Sequence, residues 1–195
     1  NWMFGIGIVI IIALGAGVVA MARSENGGLG DNTTPPKANL QNGEPFDHWH
    51  AAFAIEVCGT ELDPVQDGAT DVSGIHTHGD GLVHIHPFTR SAAGKRATLA
   101  KFFDQVGMDV SDDSIQLPPG EDFKSRVYKN GETTCGDEDG RVVLAAWEDS
   151  RDTDGEPDLI TSDISGTHFD DDFQAFTLAF LPEGEDVPPP PSAAT

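Results

Sequence analysis

The sequence predicts an α+β protein in which an N-terminal transmembrane helix is followed by a β-grasp-like mixed sheet with one packed helix. Three observations lead there. Residues 2–22 form one uncharged apolar run. Beyond residue 47, alternating apolar stretches are set apart by Gly, Asn and Pro punctuation, as strands are. Among them lies one clear stretch of helical periodicity, and no strand–helix–strand unit repeats. The chain divides into a single transmembrane helix over 1–23, a flexible linker over 24–46, an extracytoplasmic α+β domain over 47–185 and a Pro-rich tail over 186–195.

Trp2 to Ala22 is rich in Ile, Val, Ala and Gly. At a rise of about 1.5 Å per residue it spans about 31 Å, the thickness of a bilayer's hydrocarbon core. A cleavable signal sequence is the competing reading, and Ala20-Met21-Ala22 resembles its cleavage site. The apolar core of such a signal runs to only about 7–15 residues, which favours a retained anchor in the lipid bilayer. The chain begins at Asn1 and not at Met, and is read as processed or incomplete there. Ala13-x-x-x-Gly17 and Ala16-x-x-x-Ala20 would let other transmembrane subunits pack closely. Arg23 alone argues for a cytoplasmic domain. The acidic load beyond it, and a pairing of the two cysteines, argue for an extracytoplasmic one.

Lys and Arg number 11 against 33 Asp and Glu, a formal charge of −22 over 195 residues. Nucleic acid is excluded as a partner, because its phosphates would be repelled. A solvated surface accounts for the acidity before any attraction of cations does. Cys58 and Cys135 cannot build a zinc site alone, and in an exported domain they are expected to form a disulfide. The long loop enclosed would make that bridge worth about 4–5 kcal/mol on the chain-entropy argument.

Ser24 to Phe46, with Gly27-Gly28, Pro35-Pro36 and Asn42-Gly43, has the composition of a linker. The first strand follows. Trp49, Phe53, Ile55 and Val57 alternate onto one face, leaving His48, His50, Ala52, Ala54 and Glu56 on the other. Glu61 to Ser73, with Pro64 and Asp67-Gly68, is loop.

The stretch from Gly74 to Pro87 holds four of the seven histidines within eleven residues. Glycines around Asp80 between β-branched runs mark a hairpin. Parity selects its register. A two-residue turn sends the two histidine pairs to opposite faces. A three-residue loop, Gly79 to Gly81, closed by a left-handed glycine, sets His76 opposite His84. All four imidazoles then share one face, while Ile75, Thr77, Val83 and Ile85 share the other.

Leu99, Phe102, Phe103 and Val106 recur at helical spacing, with Thr98 placed to cap the start and Gly107 to end it. Their role is core packing against the sheet. Further strands are expected over Ser114 to Leu117, Phe123 to Lys129, Arg141 to Trp147 and Ala175 to Leu181. An acidic insertion, Glu148 to Gln174, separates the last two. Pro188 to Pro191 keep the end of the chain out of any sheet.

These readings converge on metal chemistry. On one face of a β-ribbon, opposed Cβ atoms lie about 4.5–5.5 Å apart, so a His-x-His pair and its cross-strand partner can converge on one ion. If the first strand shares a sheet with the hairpin, His48 and His50 join His76, His78, His84 and His86. All-imidazole sites suit copper(II), zinc and nickel, and the affinity order places copper ahead of zinc. Catalysis would need an open coordination position and a base. Asp47, Glu56 and Asp80 are available, and the sequence places none of them. The acidic loops misalign with a calcium-binding loop, and no phosphate-cradling or nucleophile motif is present. His168 reads as a solvated loop residue.

The ordered string His48-x-His50-Ala, Ile75-His-Thr-His78, Gly81-x-Val83-His84-Ile85 and Thr98-Leu-x-x-Phe-Phe-Asp104-x-x-Gly107 resembles a family of exported or membrane-anchored bacterial proteins. Their pattern reads H-x-H-A-H, L-H-T-H-D-x-x-G-V-I-H-I-E and T-L-x-x-F-F. The likeness covers roughly residues 47–107. It implies export and a histidine-bearing domain, and no particular activity. Ala52 stands where that pattern has a third histidine, and His86 where it has glutamate.

The leading expectation is therefore a membrane-anchored domain that binds copper, or less favourably zinc. It would serve metal handling or act as an accessory subunit; whether it is an enzyme is left open by the sequence, which favours a non-catalytic role. A metal-free structural subunit and a zinc-dependent hydrolase are the alternatives.

Overall fold

A computed structural model describes residues 32–120 and 122–193. Among these residues no helix is long and apolar enough to cross a membrane, and the helix expected over 1–23 lies outside them.

The large sheet grows around a parallel pair at its centre. Strand β1 (Trp49–Val57) runs beside the last strand, β11 (Ala175–Pro182), with Ala52 level with Ala175 and Val57 with Phe180. On one side β1 pairs antiparallel with β4 (Leu82–Ile85), which carries β3 (Ile75–His76) at the sheet's edge. On the other, β11 pairs antiparallel with β9 (Glu138–Trp147), and β9 with β10 (Asp158–Ile160). Short strands β2 (Thr60–Glu61) and β8 (Thr134–Cys135) attach to β1 and β9. A second, three-stranded sheet orders β5 (Asp109–Val110), β6 (Ser114–Gln116) and β7 (Val127–Lys129).

One helix, α1 (Leu99–Val106), crosses the face built by Phe53, Ile55, Val83, Ile85, Leu144, Phe176 and Leu178. The periodicity that predicts it is the periodicity of its buried face: Leu99, Phe102, Phe103 and Val106 are all nearly inaccessible. The Phe102 ring meets Phe53 edge-on at 5.0 Å. Gly107 ends the helix in the left-handed conformation, its N–H reaching Asp104 while that of Met108 reaches Phe103. Thr98 is extended at the cap position, but its hydroxyl makes no capping bond. Residues 167–169 take that place. Thr167 accepts from Leu99 N–H, and Phe169 donates to Ala97. The small sheet packs on the same side, where Tyr128 lies 5.6 Å from the Phe180 ring.

Four other expectations are refined. Of Phe123 to Lys129 only the last three residues are strand; Lys124 and Ser125 adopt positive φ and make the approach a turn. The acidic insertion contains β10 and a 3₁₀ turn, Ile164–Gly166. From Asn32 on, the stretch expected as linker is docked: Pro36 and Ala38 are buried, and Asn39 donates to Pro87. The tail forms no strand, yet it lies on the sheet face opposite α1. There Val187 is buried and the Thr177 hydroxyl donates to the Pro188 carbonyl at 2.7 Å.

Cys58 and Cys135 are bonded, joining the end of β1 to β8 across 77 residues of sequence.

Candidate metal centre

Six histidines occupy one patch of the large sheet, on the face away from α1. Alternation puts them there. In β1 the odd positions Ala51, Phe53, Ile55 and Val57 are buried under the helix, so His48 and His50 face the other way. In β4, Val83 and Ile85 are fully buried, leaving His84 and His86 outward. The hairpin takes the register that keeps its apolar face intact: Ile75 pairs with Ile85 and His76 with His84. Both loop glycines, Gly79 and Gly81, have positive φ, where one was expected. Gly74 also has positive φ, and a Cβ there would collide with the His86 carbonyl, which fixes how β3 meets the residue after β4.

The rings form a continuous mosaic over β1, β4 and the β3 edge. His50 is level with His84, their rings 4.8 Å apart. His48 touches His50 at 5.0 Å and His86 at 4.9 Å. His84 touches His78 at 4.4 Å, and His76 touches His86 at 4.7 Å. Within this mosaic one nitrogen each from His48, His50 and His84 lie within 4.8 Å of one another. A tetrahedral ion with bonds near 2.0–2.1 Å separates its nitrogens by about 3.3–3.4 Å.

His76 and His84 share a face as expected, but they are not placed to hold one ion between them. Their planes are stacked, 8° from parallel at 5.5 Å between centroids. Imidazole lone pairs lie in the ring plane, and parallel planes do not meet. The three-nitrogen cluster therefore spans β1 and β4 and does not lie within the hairpin alone.

Two carboxylates serve the patch. Asp71 Oδ2 lies 2.8 Å from His76 Nδ1, and Asp80 Oδ2 lies 3.0 Å from His84 Nε2. Carboxylates of this kind fix the tautomer of a ligating histidine and raise its basicity. Asp80 is among the carboxylates noted in the sequence; Asp71 is not. Its signal is local. Oδ1 of Asp71 accepts from the N–H groups of Ser73 and Gly74, an Asx turn in Asp-Val-Ser-Gly that leaves Oδ2 for His76. Asp47 instead accepts from Lys37 N–H, and Glu56 lies farther along β1, toward Cys58.

Burial holds His84 below the ordinary imidazole value, opposed by Asp80 and reinforced by His50 and His78. Burial, with His76 and His48, does the same for His86. Both shifts favour the neutral imidazole, the form in which histidine ligates metals. For Asp80, burial pushes upward, but the hydrogen bonds from His84 and Leu82 outweigh it and hold the carboxyl below its usual range.

His168 is half-buried, not solvated, and forms an isolated antiparallel bridge with Thr98 at the start of α1. It stays apart from the cluster. The disulfide closes the end of β1 remote from His48.

Compared with known protein families, with curated proteins and with solved structures, the chain matches none.

Proposed function

We propose that the domain binds a transition-metal ion through His48, His50 and His84, and that it serves metal handling or assists a larger membrane assembly. The observation that carries this reading is the meeting of three nitrogens within 4.8 Å. Strand pairing alone brings His50 and His84 together; the addition of His48, and of carboxylates 2.8 and 3.0 Å from neighbouring imidazoles, supports a metal reading. Ligand type ranks copper above zinc, because three neutral imidazoles suit both and the affinity order favours copper. We also read residues 2–22 as a bilayer anchor and the domain as extracytoplasmic; the Cys58–Cys135 bond supports a location outside a reducing compartment. The parallel pairing of first and last strands, with one helix crossing a single face, supports a β-grasp-like description.

The test is protection against unfolding. The full chain, in mild detergent and without a polyhistidine tag, is melted with and without Cu²⁺ or Zn²⁺. At an ion concentration about a hundredfold above Kd, binding to the folded state alone adds about 2.7 kcal/mol. The triple variant H48A/H50A/H84A loses the share of that gain owed to this triad while melting normally without metal. A parent protein that gains nothing from either ion refutes the reading.

A further inference from the structure

We infer that the histidine patch holds two metal ions, the second seated on His76 and His78. The inference rests on the metal reading above and extends it. Nε2 of His76 and Nε2 of His78 stand 3.1 Å apart. That is close to the spacing of two nitrogens on one ion, about 3.3–3.4 Å for a tetrahedral centre. Asp71 Oδ2 lies 2.8 Å from the opposite nitrogen, Nδ1 of His76, which favours a proton there and leaves Nε2 as the donor on the side where His78 lies. Without metal the pair shares one N–H as a hydrogen bond, and an ion takes its place when that ring carries its hydrogen on the other nitrogen.

The two stations are separate for two reasons. Strand order places β4 between β1 and β3, so His84 and His86 stand between the His48/His50 pair and the His76/His78 pair. In addition, the parallel planes of His76 and His84 direct their lone pairs along lines that do not cross. An ion gripped by His84 with His48 and His50 thus leaves His76 free. Solvent completes the second ion's ligands, since among the described residues no third donor gathers with this pair. The exposure of His78 makes this the more open seat.

The experiment counts ions. The full chain, untagged and in mild detergent, is loaded with excess Zn²⁺, passed through a desalting column at high salt, and assayed for zinc per polypeptide. Two retained ions are expected. H76A/H78A and H48A/H50A each retain one, and the quadruple variant retains none. One ion on the parent overturns the second station while leaving the first intact; no ion overturns the metal reading itself. Loss of both ions from either pair variant, or of neither, overturns the division into two seats. Circular dichroism of each variant confirms folding, and the count on the parent decides the question even where a variant fails to fold.

Discussion

The outer face of the large sheet is split into two regions that share strands but not chemistry. Toward β9 and β11 it is floored by Ala52, Ala145, Ala175 and Ala179, each almost inaccessible, with Trp147 and Leu181 beside them. Small side chains leave a shallow bed, and the Pro-rich segment lies in it, with Val187 buried and Thr177 donating to Pro188. Toward β4 and β3 the same face carries imidazoles, and His48 and His78 remain exposed. The difference teaches where stability resides. The fold is held by the helix-side core, the disulfide and the alanine region, so the histidine region can be altered at small cost to folding.

That division can be broken by measurement. Cys58→Ala with Cys135→Ala carries the largest expected loss, about 4–5 kcal/mol of unfolding free energy on the chain-entropy argument, read by denaturant titration. Phe102→Ala, which empties a site 1 % exposed between α1 and β1, is expected to cost about 3–5 kcal/mol in the same assay. Thr177→Val removes one hydroxyl-to-carbonyl bond from the alanine region; a loss near 1 kcal/mol follows, with faster proteolysis of the released tail. His48→Ala with His78→Ala, both exposed, should change metal-free stability by less than about 0.5 kcal/mol. A larger cost there than for Thr177→Val would overturn the comparison.

The smallest effect is a pH dependence. Burial, with Glu61 nearby, raises the Glu56 carboxyl above its ordinary value. The native protein therefore keeps this proton at a pH where the unfolded chain has released it. Stability from this group is present below the unfolded value and declines as pH rises through the native one. Glu56→Gln should remove that decline and melt slightly higher at neutral pH; a variant whose melting falls with pH as the parent's does would assign the slope elsewhere.

Most of the site's placement was legible in the chain because it follows from parity. The burial of Ile75, Val83 and Ile85 dictates where His76, His84 and His86 point, and β1 alternates by the same rule. The helix was legible from Leu99, Phe102, Phe103 and Val106, and its end from Gly107. What the sequence does not carry is pairing between distant segments. Thr98 has the side chain of a cap, yet residues 167–169, nearly seventy positions on, make the contacts that hold the start of α1. The docking of residues 36–39 and of the tail has the same cause: Pro-rich composition reports what cannot join a ladder, not what surface it will cover. Alternation likewise says which face a histidine occupies but not the tilt of its ring. The parallel planes of His76 and His84 therefore emerge only in three dimensions.

The parallel union of β1 with β11 has a consequence for biogenesis. The ribbon bearing His48 and His50 is made early, while the ribbon that completes its hydrogen bonding is among the last pieces the ribosome supplies. Until residue 182 has emerged, the nascent chain has a central gap, and its imidazoles are an unassembled collection open to stray ions. If the patch binds metal as proposed, ion loading is a late event that follows the arrival of β11.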